Sequence, residues 1–431
     1  MEGLFGILLL VVLLGLGVPV AWSFAGLVAY LTFVYDVNLN TLMLQGFRSL
    51  NSVVLLSLPL FILAGYLMQS GGIARRLVEF IELLVRGRRG GLGASIVLSS
   101  GIFGAIAGTA TAAVAAIGTI MIDPMDERGY PRGYSSALLG ISSLLGILIP
   151  PSITMILFAV ATQQSVAACF AATMGPAILL IAGLILFNRF VAGRYYQEKA
   201  IGKADQSEHR SPTRAVIAAL PALSIPLIIL GGIYGGVFTP TEAAAVAVVV
   251  ALLIGFFIYR DLTWSRLRTS VIAAAETTGS IVLILLFSFM IGRILVAERV
   301  PQELTELVAA AVSNPILILL AVNLFLIIAG ALIDDVSVTV VIAPLFLPLM
   351  TSMDVHPVHF GAIVAASVVI GANSPPMAPV LYMACRIGKV SVHKAVGPAL
   401  LMMSLVALPV MLVTAFVPEV SLWLPRTLGL L

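Results

Sequence analysis

Apolar residues fill this chain in long blocks, and the informative positions are the rare charges between them. Stretches free of Asp, Glu, Lys and Arg cover 3–35, 49–74, 90–122, 133–188, 215–241, 243–259, 277–292, 307–333, 336–353, 360–385 and 395–418. About 20 apolar residues in a helix cross a hydrocarbon layer of about 30 Å. By that measure 133–188 holds two helices, with a turn near Gln163-Gln164-Ser165. The 3–35 stretch is either one long tilted helix or two short ones broken at Gly15-Leu16-Gly17-Val18-Pro19. Glu2 stands where a cleavable signal peptide would carry a basic n-region. The pattern predicts an all-α polytopic membrane protein.

Composition agrees and narrows the choice. Hydrophobic residues make up 60% and charged residues 10%, against about 25% charge in ordinary soluble domains. That excludes a soluble enzyme, a disordered chain and a nucleic-acid binder. The 23 basic and 20 acidic residues give a net charge of +3, too balanced to attract a polyanion. Cys169 and Cys385 lie far apart and suggest no disulfide framework.

The basic residues supply orientation. They cluster at Arg75, Arg76, Arg86, Arg88 and Arg89, then at Arg189, Arg194, Lys199, Lys203, Arg210 and Arg214, then at Arg260, Arg266 and Arg268, and at Arg386, Lys389 and Lys394. The positive-inside rule puts all four clusters in the cytoplasm. The 90–122 stretch must then enter from the inside and return there, and 307–353 must enter from the outside and go back out. Both read as re-entrant hairpins. Apolar residues interleaved between Arg75 and Arg89 predict an amphipathic helix along the cytoplasmic face. Trp22, Trp264 and Trp423 near span ends read as interface anchors.

The two halves resemble each other at an offset of about 224 residues. Gly146-Ile147-Leu148-Ile149-Pro150-Pro151-Ser152 corresponds to Gly371-Ala372-Asn373-Ser374-Pro375-Pro376-Met377, a double proline inside an apolar span. Each follows a hairpin, centred near Gly108-Thr109-Ala110-Thr111 or Gly330-Ala331-Leu332-Ile333-Asp334-Asp335. Gly17-Val18-Pro19 echoes Phe238-Thr239-Pro240-Thr241, which favours two short helices in 3–35. The expected organisation is a first repeat 1–193, with a hairpin at about 90–122 and a broken helix at about 134–162. A cytoplasmic linker 194–214 follows, then a second repeat 215–431, with a hairpin at about 307–353 and a broken helix at about 360–385. Ten crossings and two hairpins leave both termini outside, and the repeats are related by inversion. Inverted repeats with broken helices are the architecture of secondary transporters, whose sites lie near the membrane midplane.

The breaks carry the candidate chemistry. Successive prolines unwind a helix, and the freed carbonyls are tolerated only inside protein or beside a polar cavity. Such oxygens suit a small cation such as Na+. Thr109 and Thr111 begin a half-helix, as N-caps or hydroxyl ligands, and its exposed amides favour an anion. One site can therefore hold a carboxylate and Na+ together. Asp334-Asp335 is flanked by 27 and 18 uncharged residues, and a carboxylate at membrane depth is a functional candidate by default. Capping of a half-helix and cation coordination both fit the pair. Glu242 after Thr239-Pro240-Thr241 fits a capping box, and Glu276 an interfacial position. His356 and His359, three apart with Pro357 between them, make a poor zinc site. No P-loop and no nucleophile–base pattern occurs, so neither ATP hydrolysis nor enzyme catalysis is expected.

Several stretches together carry a resemblance. They are Pro59-Leu60-Phe61-Ile62-Leu63-Ala64-Gly65, Ala112-Ala113-Val114-Ala115-Ala116-Ile117-Gly118, Gly146 to Ser152, Thr239-Pro240-Thr241-Glu242-Ala243, and Gly371 to Pro376. Over essentially its whole length the chain resembles the large membrane (M, DctM-type) subunit of tripartite ATP-independent periplasmic (TRAP) transporters. The resemblance implies an elevator-type symporter of the ion-transporter-superfamily kind in a prokaryotic inner membrane. It would take a small organic anion from a periplasmic substrate-binding protein and import it with Na+, braced by a small four-helix membrane (Q) subunit. The first Na+ set maps to Thr109, Gly146, Ile149 and Pro151, and the second to Gly330, Asp334, Gly371, Ser374 and Pro376. Thr111 and Asn373 are assigned to the substrate. Ala107 departs from the family, which often has serine there. Apart from Na+ as coupling ion no cofactor is implied. A proton-coupled carrier is the first alternative and a passive channel the second.

Overall fold

The computed structural model describes residues 2–85, 90–195, 212–312, 314–375 and 378–431. Arg86, Arg88, Arg89, most of the 194–214 linker and Pro376 lie outside the described residues. Every regular element among those described is a helix. Seven helices are long and apolar enough to cross a bilayer, or nine if two bent pairs count as one span each. Of the shorter apolar helices, Gly91–Ala107 and Pro357–Gly371 end at breaks and Val20–Val34 begins at one.

Glycine and proline set those breaks. Helices Glu2–Gly15 and Val20–Val34 are parted at Gly17, whose φ of +81° suits a residue without a Cβ. The first hairpin consists of Gly91–Ala107 and Ala110–Glu127, turned at Gly108 with φ +67°. Its second arm runs past Asp123, because a charge at a helix end does not stop the helix. The first broken helix comprises Arg132–Ser143, Leu145–Leu148 and Ile153–Thr162, bent by 41°.

In the second half the 307–353 stretch is not one hairpin from its first residue. Residues up to Ala311 belong to a separate helix, Val300–Ala311. The first arm, Pro315–Leu332, starts where Asn314 caps the Ile316 amide at 2.9 Å and Pro315 occupies the first turn. The second arm runs from Asp335 to Ser352 through a π-helical stretch, Val338–Ile342. The second broken helix is Pro357–Gly371 followed by Pro379–Ile387.

Two other elements differ from the charge-gap reading. The 277–292 stretch is the middle of a 34-residue helix, Trp264–Ala297, far longer than a bilayer crossing requires. A helix Leu39–Leu50 precedes the Val54–Ser70 span and is bent from it by 67°. The amphipathic helix is present as Ile73–Val85, its apolar face packed on the protein, with Leu77 and Ile81 buried. Arg76 on its other side pairs with Asp261 at 2.6 Å and lies 3.9 Å above the Tyr259 ring.

Burial sorts the helices into two kinds. Residues 133–143 and 358–371 of the broken helices are buried all round. Peripheral helices present large apolar side chains outward, Phe33, Leu227 and Phe257 among them, as expected where the solvent is lipid. Lipid gives no hydrophobic drive for helices to associate, so the centre is held by close packing of small residues.

Candidate functional site

The first site is the meeting of hairpin and break. Gly104 on the hairpin's first arm abuts Gly146, and a methyl on Gly104 would stand 2.7 Å from the Gly146 Cα. A methyl on Gly146 would lie 2.9 Å from the Thr109 carbonyl oxygen, and one on Gly108 would lie 2.8 Å from that of Pro151. The Ile153 amide donates to the Gly108 carbonyl at 3.3 Å, closing the tip onto the half-helix. Thr109, Gly146 and Pro151 are thereby brought together, and Ile149 lies within the same unwound turn with extended backbone. Pro150 and Pro151 have no N–H, so the Gly146 and Ile147 carbonyls lose their helical donors. Thr109 caps the second arm through its hydroxyl, 3.3 Å from the Ala112 amide, and Thr111, the second residue of that arm, is exposed. Ala107 is buried against Gly65 of the preceding span.

The same construction recurs about 225 residues later. Gly330 abuts Gly371, where a methyl on Gly371 would stand 2.6 Å from the Gly330 carbonyl carbon. Asp334 holds the position of Thr109. Its Oδ2 accepts from the Ser337 amide at 3.2 Å and its Oδ1 from the Ser337 hydroxyl at 2.5 Å. The second break is tighter than the first, because the Ser374 amide donates to the Gly371 carbonyl at 2.8 Å. The Ser374 hydroxyl turns back onto the Ile370 carbonyl, also at 2.8 Å. Pro376 lies outside the described residues.

Asn373 is fully buried beside Gly140 of the first broken helix, and neither atom of its amide has a hydrogen-bond partner among the described residues. A buried unpaired amide costs about 1–3 kcal/mol, so this side chain is a candidate for contact with something bound. Other polar candidates have structural partners. Thr239 and Glu242 form a complete capping box. His356 accepts from the Val358 amide at 3.2 Å, and His359 shares a 2.6 Å hydrogen bond with Ser421.

Three further residues take part. Gly104 could have been found by applying the repeat offset to Gly330. Ser337 follows Asp334 at cap spacing. Thr154, whose hydroxyl donates to Asp335 at 2.8 Å across 181 positions, left no local signal.

Among the described residues the chain is all-helical with seven to nine apolar spans, which defines a polytopic membrane protein. The comparisons specify which kind. The family model for the tripartite ATP-independent periplasmic transporter, DctM component, matches residues 7–420, and the chain belongs to that family. The C4-dicarboxylate TRAP transporter large permease protein DctM of Pseudomonas aeruginosa is 34% identical, with 94% of each chain covered. The sialic acid TRAP transporter large permease protein SiaM of Vibrio cholerae is 30% identical, with 96% of each covered. The crystal structure of the Alcanivorax borkumensis YdaH transporter shares the fold, with a TM-score of 0.57 at 14% identity over 89% of each chain. These relatives are transporters and not enzymes.

Proposed function

We propose that this permease imports a small organic anion, a carboxylate, in symport with Na+. The observation that supports it most is the repeated meeting of a hairpin tip with a double-proline break, at Gly104–Gly146 and at Gly330–Gly371. The carbonyls freed at the first break and the Asp334 carboxylate at the second tip are hard oxygen ligands for Na+, and the adjoining half-helix N-termini favour a carboxylate. Thr109, Gly146, Ile149 and Pro151 form the first ion set, and Gly330, Asp334, Gly371, Ser374 and Pro376 the second. Thr111 and Asn373 contact the substrate. Relatives named for C4-dicarboxylates and sialic acid support the carboxylate class.

The same reading makes the halves 1–193 and 215–431 inverted repeats, with re-entrant hairpins moving as the elevator part, and both termini periplasmic. A periplasmic binding protein delivers the anion and a small four-helix membrane subunit braces the permease in the inner membrane. The test is uptake into liposomes holding the permease and small subunit, with loaded binding protein outside. Accumulation is expected only under an inward Na+ gradient, and equal uptake in Na+-free buffer contradicts it. The Asp334-Asp335 pair favours one second reading, proton coupling, in which uptake follows an imposed pH gradient instead. A passive channel is the remaining alternative, and the close packing at both tips argues against it.

A further inference from the structure

We infer that Thr154 is a positioning residue that couples the two ion sites through its hydrogen bond to Asp335, an inference that rests on the Na+ reading above. The bond joins the two halves of the chain. Thr154 Oγ1 donates to Asp335 Oδ2 at 2.8 Å, from a side chain that is 1% exposed.

Each end of this bond is fastened to one site. Thr154 is the second residue of Ile153–Thr162, the half-helix that begins at the first break. Its neighbour Ile153 donates to the Gly108 carbonyl, and Ser152 caps the same half-helix by accepting from the Met155 amide at 3.4 Å. Thr154 therefore moves with the lip of the first site. Asp335 follows Asp334, the acidic member of the second set, and is the first residue of the helix that Asp334 caps. A shift of Asp334 toward or away from a cation carries Asp335 with it.

Much of the remaining contact of this half-helix with the second half is apolar. The half-helix lies against Pro357–Gly371, with Phe158 edge-on to Phe360 at 6.2 Å between ring centroids. Among the described residues, Thr154–Asp335 is the polar link from this half-helix to the second half of the chain. Apolar packing tolerates small sliding, whereas a hydrogen bond to a carboxylate at membrane depth is either made or left unpaired. That two-state character lets occupancy of one site bias the other, and such coupling is reciprocal.

The experiment is Na+ activation of substrate uptake by the reconstituted complex, comparing wild type, Thr154→Val, Thr154→Ser and Asp335→Asn. Wild type is expected to activate cooperatively, with a Hill coefficient of about 2. Thr154→Val keeps the shape and removes the donor. It is expected to bring the coefficient toward about 1 and raise half-saturating Na+ about fivefold. Maximal rate and substrate KM at saturating Na+ change little, a split that general destabilisation would not produce. Thr154→Ser restores the wild-type curve. Asp335→Asn keeps an acceptor but removes the charge, and shifts the curve in the same direction as Thr154→Val. Wild-type Na+ dependence in Thr154→Val or in Asp335→Asn overturns the coupling role alone, as does a Thr154→Ser protein that matches Thr154→Val. Wild-type uptake indifferent to Na+ overturns both this inference and the symport reading.

Discussion

At the first hairpin tip a threonine hydroxyl caps the second arm, and at the second tip a carboxylate does. Thr109 contributes one contact, to the Ala112 amide. Asp334 engages both carboxylate oxygens with Ser337, and the adjacent Asp335 reaches Thr154 in the other half. The breaks differ in the opposite sense. The first leaves the Gly146 carbonyl without its helical donor, whereas at the second the Ser374 amide occupies the Gly371 carbonyl. One backbone arrangement thus serves two electrostatic designs. The first tip offers neutral dipoles and the second a carboxyl group, so under the proposed Na+ reading a cation draws more on side-chain charge at the second.

The largest effects are expected where the two sites are most alike. Gly371→Ala and Gly146→Ala each drive a methyl into backbone, at 2.6 and 2.9 Å, and overpacking of this kind costs about 1–3 kcal/mol. Both should abolish uptake while thermal melting falls, with Gly371→Ala the more severe. Full uptake in either would separate the glycine contacts from transport. The next pair probes the difference between the tips. Asn caps a helix as well as Asp, so Asp334→Asn should melt like wild type and lose Na+-dependent uptake about tenfold, or about 1.4 kcal/mol. Thr109→Ala should instead lose about 1 kcal/mol of stability from the missing cap, with a smaller change in half-saturating Na+. Equal Na+ responses in the two variants would erase the proposed contrast.

Asn373→Leu follows, with effects of opposite sign. Removing an unpaired buried amide should raise stability by about 1 kcal/mol, while substrate KM rises at saturating Na+. A loss of stability would show that the amide is satisfied in the membrane. The smallest effect is expected at Thr239→Ala, away from both tips. It breaks the capping box with Glu242 and should cost about 1 kcal/mol in chemical denaturation, with Na+ activation unchanged.

The features legible in the sequence were those written locally. The breaks at Gly17 and Pro150-Pro151, the Thr109 cap and the Thr239–Glu242 capping box depend on a few consecutive residues. Charge gaps failed where a charge sits inside a continuing helix, as Glu276 does in Trp264–Ala297. They also concealed Leu39–Leu50, because Asp36 and Arg48 leave a gap too short for a crossing. The start of the second hairpin was carried by Asn314-Pro315, a cap signal that charge counting does not use. Gly104 was within reach of the repeat, but its value depends on touching Gly146, a property of packing. Thr154 was not readable, because a serine or threonine in an apolar helix gains meaning only from a partner that the fold brings to it.

The most direct test of Na+ coupling is uptake by the wild-type complex in liposomes with the pH gradient clamped at zero and only the Na+ gradient varied. Under Na+ symport, substrate accumulates above its external concentration when Na+ is higher outside, and drains when the Na+ gradient is reversed. Accumulation that ignores the Na+ gradient, or that appears only when a pH gradient is restored, would contradict it.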